Sequence, residues 1–168
     1  ARGAEAVERF LRPHAGGPFE TAGGYADVLD ALARTRPGLG VALALGTGDR
    51  DAALDAWRDH GERAHAAVRE ATTGRYDGLF VARCDGQVPV GTVARLLRDF
   101  RSPEPVVLVV ADGEAAAVRT DGADTSPGET MREAVAAVGG TGGATAGRAR
   151  ARFDVEDTEF VVAFREAQ

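Results

Sequence analysis

Val106–Thr120 reads V-V-L-V-V-A-D-G-E-A-A-A-V-R-T. Val106–Ala111 is a continuous apolar, mostly β-branched run, the pattern of a strand buried on both faces. Asp112-Gly113 is a hairpin turn signal, so Ala115–Thr120 is expected as the next strand, antiparallel to the last. Upstream, Val90–Phe100 reads as a helix, Asp85-Gly86 as a turn and Tyr76–Arg83 as a strand. Downstream, Ser126–Val138 reads as a helix with Ser126 as cap and Pro127 in its first turn. A glycine-rich stretch, a strand over Arg148–Phe153 and a last helix from Glu156 to Glu166 follow, the last capped by Asp154 or Asp157. This order predicts an α/β fold, one mixed β-sheet with helices packed on it.

Residues 1–73 carry helical patterns and are expected to form a helical connector region ahead of the mixed-sheet domain at 74–168. Ala4–Pro13 places Ala4, Val7, Phe10 and Leu11 at helical spacing. Tyr25–Arg34 puts Tyr25, Val28, Leu29 and Leu32 on one face, and Pro37-Gly38 ends that helix. Leu39–Leu45 is a short apolar run that leads through Gly46-Thr47-Gly48 toward another helix, which favours helix over strand. The longest segment runs from about Asp51 to Thr72, with Asp49 or Asp51 as its N-cap.

The chain has 168 residues and a net charge of −6, and every one of its 20 basic side chains is arginine. That composition suits a GC-rich genome and a cytoplasm at high salt, where net charge speaks of solubility and local arginine clusters speak of ligands. The single cysteine, Cys84, excludes an internal disulfide framework, and its apolar setting marks a core thiol. His60 and His65 lie five apart, which is not the spacing at which two imidazoles share a zinc on one helix. Surface placement is expected for both and for His14. No run approaches a membrane span, so a cytoplasmic protein without a membrane partner is expected.

Gly139–Arg152 reads G-G-T-G-G-A-T-A-G-R-A-R-A-R. Glycine serves where the backbone takes positive φ or approaches something closely. At strand periodicity Arg148, Arg150 and Arg152 project from one face. A side-chain-free loop beside a basic stripe with no acid among its residues suits a phosphate backbone. The plainer reading is a connection followed by an edge strand kept soluble by its charges.

The second part resembles the nucleic-acid-binding domain that follows the catalytic domain in DHH-family phosphoesterases, the family of RecJ-type single-strand exonucleases. Val90–Phe100, Pro103, Pro105 and Val106–Ala111 match its helix, Pro-containing turn and apolar strand. Ala117-Val118-Arg119 stands at its Ser-x-Arg pattern, keeping the arginine and losing the serine. Gly139–Ala151 stands at its G-G-x-G-G-G-H-x-x-A-A-G-A signature. Gly139, Gly140, Gly142 and Gly143 match, whereas Ala144, Thr145 and Arg150 replace a glycine, the histidine and the last glycine. The family's histidine lies near the substrate phosphate, and threonine cannot carry its charge or proton. The region 1–73, including Phe19–Leu29 and Pro37–Gly46, resembles the helical connector of archaeal members.

The resemblance implies a nucleic-acid site at Arg119, Gly139, Gly140, Gly142, Gly143, Thr145, Arg148 and Arg150, with single-stranded nucleic acid as partner. The chain carries no Asp-His-His motif and no set of aspartates spaced for two metal ions. No catalytic residue and no cofactor are therefore expected in it; Mn or Mg would belong to a catalytic domain outside this chain. An alternative follows from the altered motif: an inactive replication accessory protein that docks on GINS or other replisome proteins.

Overall fold

The structure is a computed structural model and describes residues 19, 21–145 and 147–168. The helix expected at Ala4–Pro13 lies outside them. Two compact units divide between Glu62 and Arg63.

In the first unit, α1 (Ala22–Thr35) begins with Thr21, whose Oγ1 accepts from the Gly24 N–H at 3.0 Å. The helix thus runs through Gly23 and Gly24, which read as a lead-in because glycine is a poor helix former. α2 (Pro37–Ala44) starts with proline at its first position, where the missing N–H costs nothing. α3 (Arg50–Glu70) is capped by Asp49, whose carboxylate accepts from the Asp51 and Ala52 N–H groups at 2.9 and 3.1 Å. Val28, Leu32, Leu43, Ala53 and Ala56 close a small core with Phe19. His60 is buried, against the expectation of a surface residue, while His65 is exposed.

The second unit holds a six-stranded sheet in the order β1-β2-β3-β4-β6-β5. The strands are β1 (Thr72–Tyr76), β2 (Leu79–Arg83), β3 (Val106–Ala111), β4 (Glu114–Arg119), β5 (Thr141–Thr145) and β6 (Arg148–Arg152). Only β2 and β3 are parallel, joined through α4 (Val90–Phe100); the other pairs are antiparallel. β3 is buried at every position, as its unbroken apolar run requires. Asp112 and Gly113 take φ of 49° and 73°, the paired positive values of a two-residue hairpin turn between Ala111 and Glu114.

Alternate residues divide the sheet between two cores. Leu79, Leu108, Val110 and Ala117 face Met131 of α5 (Pro127–Val138) and Phe160 and Phe164 of α6 (Asp157–Glu166). Phe80, Val107, Val109 and Val118 face Val93 and Leu97 of α4 and Ala64 and Ala67 of α3.

Three expectations are corrected. The single strand expected at Tyr76–Arg83 is a hairpin with Asp77-Gly78 between Tyr76 and Leu79. Gly142 and Gly143 belong to a paired edge strand where a loop was expected. Ser126 occupies the N-cap of α5 and Pro127 its first turn, as expected, though the Ser126 side chain makes no capping hydrogen bond. Glu156 precedes α6, also without one, and Asp157 instead accepts from the Gly113 N–H at 3.3 Å.

Candidate nucleic-acid interface

β6 alternates arginine and alanine, and burial follows: Ala149 and Ala151 are buried while Arg148, Arg150 and Arg152 are exposed. The alanines belong to the core under α5 and α6, so the arginines project from the opposite face, the one α4 occupies. α4 packs on β3 and β4. Beside it, β6 and the wholly exposed β5 form a shelf at the end of the sheet.

The hairpin register sets Thr145 opposite Arg148, Gly143 opposite Arg150 and Thr141 opposite Arg152. Directly paired residues share a face, so Thr145, Gly143, Arg148 and Arg150 lie together on the shelf. A Cβ at Gly143 would meet nothing within 4 Å. The missing side chain leaves open space next to Arg150. The Arg150 guanidinium reaches from β6 over β4 to α4, where it lies in the place a Gly91 side chain would take. Gly91 is in the first turn of α4, which carries no acid; a helix N-terminus holds roughly half a positive charge. Val90, Glu114, Gly142, Gly143, Arg150 and Arg152 line a groove of about 340 Å³ here.

An acid from the neighbouring strand stands beside the stripe. Glu114 pairs with Arg152 across the β4–β6 ladder, and its carboxylate meets the guanidinium at 2.7 Å. Arg148 makes no salt bridge with any described residue. Composition could not show this pairing, because Glu114 and Arg152 are distant in sequence and meet only through the sheet register.

The remaining candidates serve other places. Gly139 ends α5 with φ 83° and donates to the Val135 carbonyl at 2.9 Å. Gly140 has φ 129°, and a Cβ there would strike the Arg152 carbonyl oxygen. Both make the connection from α5 to β5. At Gly142 a side chain would point at Val135 of α5, under the sheet. Arg119 continues the alternation of Ala115 and Ala117, so it too leaves the face opposite the stripe. Its guanidinium donates to the Thr125 carbonyl at 3.5 Å and lies near the Gly147 turn. Ala144 packs against Gly128 at the start of α5. Gly91 escaped the sequence reading: a glycine early in a helix announces nothing until its neighbour across space is known.

Among the described residues no group of three or more histidines, cysteines and carboxylates is placed to hold a metal. Cys84 is buried; burial first, then Asp85 and Asp157, pushes its thiol from 9.0 up to about 11. The folded chain holds this proton to higher pH than the unfolded chain. Its contribution to stability is complete below the unfolded value of 9.0 and is lost as pH climbs toward 11. Alkylation at pH 8 will accordingly be slow in the native chain and fast in urea; equal rates would contradict a buried thiol.

No helix of the described residues is long and apolar enough to cross a membrane.

Comparison with known proteins agrees with the fold. The crystal structure of RecJ in complex with Mg2+ from Thermus thermophilus superposes with a TM-score of 0.65 at 19% identity, over 84% of this chain and 24% of that one. The two share a fold. A second structure, a DHH domain from a protein assigned to a family of ribosomal proteins, matches at a TM-score of 0.47 and 14% identity, over 69% of this chain and 31% of that one, too loosely to weigh. The protein rrnAC1427 of Haloarcula marismortui, described as uncharacterized, is 64% identical over 165 residues. That match covers 98% of this chain and 44% of the relative, so the chain spans less than half of that protein's length. Residues 71–166 match the family model described as "Uncharacterized protein rrnAC1427, C-terminal domain", and with a relative of 64% identity beside it the chain belongs to that family.

Proposed function

We propose that this chain is the nucleic-acid-binding domain of a RecJ-like single-strand exonuclease of the DHH phosphoesterase type. It would position the phosphate backbone for a catalytic domain outside these residues, and the divalent metal would belong there. The observation that carries this reading is the open space at Gly143 beside Arg150, with Arg148 next along the strand and the α4 N-terminus behind. A phosphate can approach the backbone of β5 closely and find guanidinium donors on the same face. The shared fold with part of RecJ supports the same assignment.

Fluorescence anisotropy with a labelled single-stranded oligonucleotide tests it. Binding should weaken with salt, the slope of log K against log salt falling by about 0.7 for each phosphate contact removed. Arg148→Glu/Arg150→Glu should abolish it. Thr145, which stands at the family's histidine position, favours the second reading: an inactive replication accessory protein that docks on GINS. No binding at the lowest salt that keeps the chain folded would support that second reading.

A further inference from the structure

We propose that the shelf has a second bank, and that Arg95 of α4 grips the same strand of nucleic acid as Arg148 from the opposite side. This rests on the nucleic-acid reading and specifies how a strand would lie. The Arg150 guanidinium against Gly91 fixes where helix and strand meet. From Gly91 to Arg95 the helix advances about 6 Å and turns about 40° away from the Gly91 direction. That turn leads away from the buried face of α4 formed by Val90, Val93, Ala94 and Leu97, so Arg95 stands on the upper rim of the side that meets Arg150. From Arg150 to Arg148 the strand retreats about 6.6 Å.

These two steps run the same way. α4 follows β2 and returns to begin β3, so it runs against both; β6 is antiparallel to β4 and β4 to β3, so β6 runs with β3. Arg95 and Arg148 are thus carried to the same level from a common anchor. Neither makes a salt bridge with a described residue. Arg98 lies on the same side of the helix, but its charge is engaged by Asp99 at 2.6 Å, so it is left out of the bank.

The ligand this arrangement takes is one sugar-phosphate chain lying along α4, its phosphates facing arginine on both sides. Two strands at about 4.8 Å spacing make the shelf roughly 10 Å wide, room for a single backbone. Guanidinium–phosphate pairs carry no sequence information, so binding should be nearly independent of base composition.

The test is salt-titrated anisotropy on the 168-residue chain with Arg95→Gln, Arg95→Lys and, as a charge control on the other face of the sheet, Arg132→Gln. Arg95→Gln should lower the salt slope by about 0.7 and weaken binding, Arg95→Lys should restore most of it, and Arg132→Gln should match wild type. Melting curves establish that each variant is folded. If Arg95→Gln behaves like Arg132→Gln while Arg148→Glu/Arg150→Glu abolishes binding, the second bank is wrong and the nucleic-acid reading stands. If wild type itself does not bind, the nucleic-acid reading fails and takes the second bank with it.

Discussion

Phe160→Ala will lower the stability of the chain by about 3–5 kcal/mol, the range for truncating a buried aromatic ring. Phe160 is 0% exposed and lies face to face with Phe153, centroids 4.0 Å apart and planes within 8°. Phe153 leaves the end of β6, and Phe160 sits in the first turns of α6. The pair ties the last helix to the strand that carries the arginines. Removing the ring takes apolar area from the core and leaves a cavity that α5, α6 and the sheet cannot all close. Urea denaturation should show a lower midpoint at unchanged slope. A loss under about 1 kcal/mol would mean the site collapses freely and that this core is less closely packed than described.

Gly140→Ala should cost about 1–3 kcal/mol through backbone strain, and its Cβ collides with the Arg152 carbonyl besides. Relief requires either the φ of 129° or the start of β5 to shift, and β5 hangs on the sheet through its ladder with β6. Gly143→Ala is the comparison, since its φ is not positive and its side chain meets open space. That substitution should stay within about 0.5 kcal/mol. Hydrogen exchange would locate the difference, with β5 amides losing protection in Gly140→Ala alone. Equal stability in the two variants would remove the structural role given to Gly140 and return it to the candidate ligand contacts.

Much of the second unit could be read from residues because its signals are local. β3 announces itself by an unbroken apolar run, the β3–β4 hairpin by Asp112-Gly113, and β6 by strict alternation of arginine and alanine. β1 gives no such signal: Thr72–Tyr76 is a half-exposed edge strand without apolar alternation, and it exists because β2 offers it a ladder. The Asp77-Gly78 turn has the same chemistry as Asp112-Gly113, but it is hidden inside a stretch that looks like one strand. β5 is harder still. Its Thr-Gly-Gly-Ala-Thr has no side-chain preference for a strand, and backbone pairing to β6 alone defines it.

The candidate site was legible as a stretch but not as a geometry. Arg148, Arg150, Gly143 and Thr145 meet on one face as strand periodicity requires. Arg119 leaves the other face because its position in β4 has the opposite parity to the stripe's partners, Ala116 and Val118. Glu114 and Gly91 enter only through tertiary contact. His60 departs from expectation for a related reason: a helical histidine's burial depends on what packs over it, which spacing does not state.

The strands nearest the shelf are floored with alanine: Ala115, Ala116 and Ala117 in β4, Ala149 and Ala151 in β6, all at most 5% exposed. Short side chains let helices lie close to the sheet, and such an interior has no spare volume for a larger residue. A larger residue at these inward positions would overpack the interior, whereas the outward positions between them on β6 are exposed. The arginines occupy those outward positions. Packed floor and charged surface thus alternate along one strand, so the charge of the exposed face can change without altering the volume of the interior.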